Sequence, residues 1–234
     1  MATHLLLDFF GTLVDYSPSR TEQGYPRSHA LLTGWGAQVD YVEFLAAWSA
    51  VSAEFDRRSE VDDREFSMTE LGTEFLRRVL GAEPDPAGVE TFVATYLSEW
   101  NAGVRCPAGM PELLADLASR HRLVVVTNTH RAELVPDHLA AIGVAHLVDA
   151  VVTSVEVGWR KPHPAIYAAA LDAAGVPASA AVFVGDTFAA DFAGPEAVGI
   201  RSFLIDPANR HPVPAGRRLA SLFDLPDRLA GRAG

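Results

Sequence analysis

Residues 4–15 read His4-Leu5-Leu6-Leu7-Asp8-Phe9-Phe10-Gly11-Thr12-Leu13-Val14-Asp15. The leucines follow one another without alternation, so the run is built to be buried on both faces, as a strand inside a parallel sheet is. It stops on an acid and a Gly-Thr turn. The same grammar returns at Leu123–Val126, Ala150–Val152, Ala181–Val184 and Ser202–Ile205, each followed closely by polar or turn residues. Between these runs Met110–Ser119, Arg131–Ile142, Pro164–Ala174 and Asp191–Val198 have helical length and period. Apolar strands alternating with helices predict an α/β fold, a doubly wound parallel sheet with helices on both faces.

The stretch from Tyr16 to Val104 has a different texture. Phe44, Leu45, Trp48, Val51 and Phe55 recur at helical spacing, as do Leu71, Phe75, Leu76 and Leu80. Val89, Phe92, Val93, Tyr96, Leu97 and Trp100 form a further stripe, and no strand-like run interrupts them. These aromatic stripes read as core packing. The expected organisation is a sheet domain from 1–15 and 105–234, with an all-helical insertion over 16–104. The tail after Pro207 reads as a short closing element.

Composition narrows the function. The 234 residues carry a formal charge of −11, which argues against a nucleic-acid footprint. The longest run without Asp, Glu, Lys or Arg, Ala173 to Gly185, is too short for a membrane span. The single cysteine, Cys106, allows no internal disulfide and suits a reducing compartment, so a cytoplasmic protein is expected. Cys106 itself reads as packing material. Lys161 is the only lysine among 19 basic residues.

Ligands of an open parallel sheet gather at the carboxyl ends of its strands. Asp8, then Thr127-Asn128-Thr129, then Lys161 beyond the third run, then Gly185-Asp186-Thr187 and Asp191 all fall at that edge. A lone strand-end aspartate is commonly a helix cap. Acids converging from successive strands are a different matter. Two carboxylates about 5 Å apart repel by roughly 3 kcal/mol at an effective dielectric near 20. Such a cluster calls for a cation or for raised pKa values. Oxygen donors without His or Cys favour Mg²⁺ over Zn²⁺. Phosphoryl transfer needs these parts, and a strand-end aspartate can be its nucleophile.

These motifs, in this order, resemble the haloacid dehalogenase-like hydrolase superfamily over essentially the whole chain. Leu5-Leu6-Leu7-Asp8-Phe9-Phe10-Gly11-Thr12-Leu13 is similar to its first motif, which implies Asp8 as nucleophile and Phe9 and Phe10 beside the substrate. Thr127 resembles the second-motif hydroxyl that binds the transferred group, with Asn128 next to it. Lys161, in Gly158-Trp159-Arg160-Lys161-Pro162-His163-Pro164, resembles the third-motif lysine. Gly185-Asp186-Thr187-Phe188-Ala189-Ala190-Asp191 resembles the fourth, whose acids hold Mg²⁺ together with Asp8 and the backbone carbonyl at Phe10. The resemblance implies a Rossmann-like core with a helical cap inserted after the first motif. It also implies a small anionic substrate and a monomer or homodimer.

One departure divides the readings. Phosphatases of this superfamily carry a general-acid aspartate two residues after the nucleophile, where this chain has Phe10. An aromatic residue there resembles the 2-haloacid dehalogenase branch, yet that branch usually replaces the metal-binding fourth motif with a serine- and asparagine-bearing one, whereas this chain keeps Asp186 and has Phe188 where that asparagine would be expected. The leading expectation is a Mg²⁺-dependent phosphatase of a small phosphorylated metabolite. A dehalogenase-like hydrolase and a weakly catalytic ligand-binding relative are the alternatives. The phosphonate-cleaving branch uses a cap lysine, and residues 16–104 contain none.

Other residues carry blander expectations. Asp15 reads as a first-turn helix cap and His163 as helix-entry geometry, while His130 is a loop residue near the site. Trp159 and Arg160 flank the lysine as surface residues. Arg20, Arg27 and Trp35 lie where family caps often approach a substrate, and an arginine there could grip an anion.

Overall fold

A computed structural model describes residues 3–17, 19 and 21–231 of the chain. The chain divides into two compact units, Met1–Asp15 with Cys106–Gly234 and Tyr16–Arg105.

The first unit is the parallel sheet. Its strands are β1 (His4–Leu7), β2 (Arg122–Thr127), β3 (Ala150–Thr153), β4 (Ala181–Gly185), β5 (Arg201–Ile205) and β6 (Arg218–Leu219), in the order β3-β2-β1-β4-β5-β6. Every pairing is parallel. β6 has no apolar run and was not expected. Leu5, Leu6 and Leu7 are wholly buried, as are Leu123 to Val126, which accounts for their unbroken hydrophobicity. On one face Leu6, Val124, Val126 and Phe183 pack with Ile166, Tyr167 and Ala170 of the helix Pro164–Ala174.

The register aligns the strand ends. Leu7 stands opposite Val125 on one side and Val184 on the other, and the Asp8 N–H donates to Val184 O at 2.9 Å. From β1 the order runs through β2 to β3 in one direction and through β4, β5 and β6 in the other. The switch point of a doubly wound sheet therefore lies between Asp8 and Asp186.

The segment after β4 departs from the expected helix. Phe188–Ala193 is π-helical and leads into the short helix Gly194–Ala197. The cause lies in Tyr167. Its hydroxyl donates to Ala190 O at 2.6 Å, and the N–H of Gly194 bonds Ala189 O, one residue further back. A group inserted into the ladder widens the turn in this way. A Cβ at Gly194 would overlap that hydroxyl.

The second unit is helical in α1 (Pro26–Gly34), α2 (Tyr41–Asp62), α3 (Met68–Leu80) and α4 (Pro86–Trp100). Asp40 with Glu43, and Ser67 with Glu70, close capping boxes on α2 and α3. Asp85 caps α4, whose first residue is Pro86. Trp48, Phe75, Phe92 and Tyr96 form the middle of the core, with ring centroids 4.5–5.5 Å apart around Trp48. The three aromatic stripes correspond to α2, α3 and α4. α1 is held differently: the buried Glu99 carboxylate accepts from Arg27 N, Ser28 N and Ser28 Oγ at 2.7–2.9 Å, satisfying its first turn.

Candidate active site

The carboxyl edge of the sheet holds a buried cluster. Lys161 Nζ donates to Asp8 Oδ1 and to Asp191 Oδ1, each at 2.7 Å. All three residues are buried. Thr12 Oγ1 makes a long 3.4 Å contact to Asp8 Oδ2. Asp186 completes the group: one carboxylate oxygen from each of Asp8, Asp186 and Asp191 lies within 4.8 Å of the others. The structure thus brings together the acids and the lysine that the sequence placed at separate strand ends.

Glycines make the room. Gly11 has φ +83°, and a Cβ there would overlap the Asp186 carboxylate. A Cβ at Gly185 would overlap Asp191. Asp191 is further fixed because its Oδ2 accepts from Thr187 N at 2.9 Å and its N–H donates to Thr187 O at 2.7 Å.

The electrostatics follow from burial and crowding. Burial raises the Asp8 carboxyl to about 7; Lys161 opposes this, and Asp191 and Asp186 add to it. Asp186 is also raised, by burial first and then by Asp191. Burial works against the charge on Lys161, but Asp191 and Asp8 outweigh it and hold the ammonium above its ordinary range. Three carboxylates and one ammonium leave a formal excess of two negative charges. An all-oxygen donor set with that imbalance suits a hard divalent cation.

Thr127 and Asn128 occupy different positions from one another. Thr127 Oγ1 is buried with no hydrogen-bond partner. Asn128 clamps the backbone of Lys161, with Nδ2 donating to Lys161 O at 3.0 Å and Oδ1 accepting from Lys161 N at 2.7 Å. Asn128, expected beside the substrate, directs its amide to the lysine loop. The Phe9 ring is wholly buried, 4.9 Å from Phe10 and 5.8 Å from His138, so it offers a substrate no surface. Phe10 is half-buried, edge-on to Phe9.

The blander expectations divide. His163 Nδ1 accepts from Ala165 N at 3.2 Å, capping Pro164–Ala174, and Trp159 stacks flat on its ring at 4.0 Å. Asp15 caps no helix: it is exposed, and α1 begins only at Pro26. Cys106 is partly buried, with its thiol raised by burial. His130 is half-buried in the loop after β2. The Arg27 guanidinium donates to Ser98 Oγ at 2.9 Å, and Trp35 closes α1. Arg20 lies outside the described residues.

A family model described as haloacid dehalogenase-like hydrolase matches residues 3–199, most of the chain and every residue of this cluster. The protein is a haloacid dehalogenase-like hydrolase. The human haloacid dehalogenase-like hydrolase domain-containing protein 3 is 38% identical over 110 residues, 44% of this chain and 43% of that protein. The chain thus spans less than half the length of that relative. Ribulose-1,5-bisphosphate 5-phosphatase of Halopiger xanaduensis is 26% identical over 89% of this chain and 86% of its own. Among solved structures, a 2-haloacid dehalogenase from Pseudomonas syringae superposes with a TM-score of 0.71 at 24% identity, covering 100% of both chains. At that identity the likeness shows a shared fold. Among the described residues no helix is long and apolar enough to cross a membrane.

Several parts of this hydrolase's site had no reading in the sequence. Gly11 and Gly185 neighbour the acids, a signal that was available. The Asn128 clamp and the Tyr167 hydroxyl act on backbone carbonyls and amides, which leave no mark on residue type.

Proposed function

We propose that this hydrolase is a Mg²⁺-dependent phosphatase of a small phosphorylated metabolite, with Asp8 as nucleophile. The observation that carries the reading is the Asp8–Asp186–Asp191 cluster, whose three carboxylates formally exceed the one Lys161 ammonium by two negative charges. Asp8, Asp186, Asp191 and the Phe10 carbonyl would hold the cation, which supplies charge neutralisation on the phosphoryl oxygens. A ribulose-1,5-bisphosphate 5-phosphatase, matched over most of both chains, points the same way.

The chain's own residues account for the steps. Asp8 attacks phosphorus, the ester P–O bond breaks, and the leaving oxygen departs with its electron pair. Water then attacks the aspartyl-phosphate, the P–O bond to Asp8 breaks, and phosphate leaves with the carboxylate restored. Lys161 orients Asp8 through Oδ1 and offsets charge on the transferred group. Asn128 fixes the lysine by its backbone. Thr127, whose buried hydroxyl lacks a partner, donates to a phosphoryl oxygen. The helices of residues 16–104 serve as the cap that selects the substrate.

A second reading, displacement of halide from a 2-haloacid by Asp8, is favoured by one observation, the aromatic residue at Phe10. Asp186 and Asp191 weigh against it, since halide displacement needs no cation. A panel of phosphate esters and 2-haloacids, each with Mg²⁺ and with EDTA, separates the two. Phosphate release that EDTA abolishes is the expected result; halide release indifferent to EDTA reverses the assignment.

A further inference from the structure

We propose that His211, held by Asp206, is a positioning residue for the acid-bearing turn Asp186–Asp191, and that it acts through a ring stack on Phe188. The proposal rests on the metal-binding reading of that turn, but its geometry is independent of it.

Asp206 directly follows β5 and is buried. Its Oδ1 accepts from Arg210 N at 2.9 Å, and its Oδ2 from His211 N at 3.1 Å and Arg218 Nε at 3.3 Å. On its other side, His211 O accepts from Arg218 Nη2 and Val213 N, both at 2.8 Å. The backbone of His211 is therefore pinned at both peptide groups. Its ring lies parallel to Phe188, 7° off plane at 5.0 Å, and Phe188 in turn lies 5.8 Å from Phe192 at 19°.

Phe188 opens the π-helical turn. Immediately before it stand Asp186 and Thr187, and Thr187 N and O hold Asp191. A displaced Phe188 would carry Thr187 with it and so move both acids. The turn has reason to move. π-helical turns are rare, and the carboxylates of Asp186 and Asp191 repel. Tyr167 restrains the turn from the helix Pro164–Ala174 through Ala190 O. The His211 stack restrains its opening residue from the loop that follows β5. This restraint is made by protein groups alone.

The test compares wild type with His211→Ala, His211→Phe and Asp206→Ala in two measurements. The first is titration of metal-free protein with Mg²⁺ alone by calorimetry. Partners of metal ligands typically contribute about 10–100-fold in affinity, and this stack stands one step further out. His211→Ala and Asp206→Ala should therefore weaken Mg²⁺ binding roughly threefold to tenfold. His211→Phe, which keeps a flat ring, should stay within about twofold of wild type. The second is amide hydrogen exchange of metal-free protein, where the Asp191 amide should exchange faster in His211→Ala and return to the wild-type rate in His211→Phe. Unchanged exchange and affinity in His211→Ala would overturn the proposal, as would a His211→Phe protein that behaves like the alanine variant. Should Asp206→Ala fail to fold, the two His211 variants still decide it. Wild type that takes up no Mg²⁺ contradicts the phosphatase reading, while the exchange rates continue to judge the stack.

Discussion

Asn128 holds Lys161 by both ends of that residue, its Oδ1 accepting from the lysine N–H at 2.7 Å and its Nδ2 donating to the lysine carbonyl at 3.0 Å. The side chain of Lys161 then bridges Asp8 and Asp191. A residue after β2 thus sets where the ammonium stands between acids from β1 and from the turn beyond β4. Replacing Asn128 with Asp keeps the acceptor and removes the donor. Turnover is expected to fall while substrate affinity changes little, and stability should drop by about 1 kcal/mol for the lost bond. Steady-state kinetics with a denaturant melt measure both. Full activity in Asn128→Asp would show that the lysine needs no such clamp.

Thr127 separates a functional hydroxyl from a structural one. A buried hydroxyl without a partner carries a desolvation cost of roughly 1–3 kcal/mol, so Thr127→Val should leave the melting temperature unchanged or raise it. The same substitution should lower kcat/KM on phosphate esters by about 10–100-fold, the value of one donor aimed at developing charge. A variant that loses stability and keeps its activity would assign Thr127 to packing.

Metal affinity should depend on pH in a defined direction. Burial raises Asp8 to about 7, so below that pH an incoming cation competes with a proton. Mg²⁺ binding should tighten as pH rises through about 7 and level off above it, with proton release visible at the acid end. The metal-free fold behaves oppositely. A carboxyl whose folded pKa lies above its unfolded value of 3.8 contributes stability at low pH that is lost as pH rises toward about 7. Melting temperatures in EDTA should therefore fall over that window, and Mg²⁺ should restore them. By linkage, a hundredfold excess of Mg²⁺ over its Kd is worth about 2.7 kcal/mol. Asp186→Ala should abolish the Mg²⁺ response.

Gly11 and Gly185 give a steric counterpart. Alanine at 185 would push Asp191 away from Lys161, and alanine at 11 would meet the Asp186 carboxylate in a backbone conformation that disfavours a side chain. Either variant should fold with native circular dichroism and lose the Mg²⁺-dependent rise in melting temperature. A retained rise would mean that the acids have room elsewhere.

What the sequence disclosed, and what it hid, follows from how far apart the interacting groups lie. The parallel sheet was legible because buried strands leave unbroken apolar runs such as Leu5–Leu7. Asp8, Asp186 and Lys161 were legible because strand ends converge in such a sheet. The strand Arg218–Leu219 was not, being only two residues long. α1 lacks a clear apolar stripe and begins on a carboxylate supplied by Glu99, 71 residues beyond Ser28. The π-helical turn is tied to a tyrosine 23 residues before Ala190. The placement of the Phe9 ring, wholly buried against Phe10 and His138, was not legible either, because it depends on a histidine far along the chain.

On the proposed phosphatase reading, Phe10 bears on how the leaving group departs. It stands two residues after Asp8, half-buried, its ring edge-on to Phe9 at 4.9 Å and to His138 at 6.4 Å. No proton can come from it. The wild type should therefore favour aryl or acyl phosphates, whose leaving groups depart without protonation, over alkyl phosphates. Phe10→Asp places a carboxylic acid near the departing oxygen and, in the second step, a base near the attacking water. General acid–base catalysis is typically worth about 10²–10⁴ in rate, so a gain of about tenfold or more on alkyl phosphates is expected even from an unrefined position. Aryl phosphates should gain less, unless breakdown of the aspartyl-phosphate limits them. The new carboxylate also meets His138, whose imidazole burial now holds below its ordinary range, and should raise it. Folding and Mg²⁺ binding of the variant must be shown first, because a polar group enters an aromatic slot. A folded, Mg²⁺-binding Phe10→Asp protein with no gain on any phosphate ester would remove phosphoryl leaving groups from this slot. Wild type that releases halide from 2-haloacids, and a variant that does not, would pass the site to halide displacement.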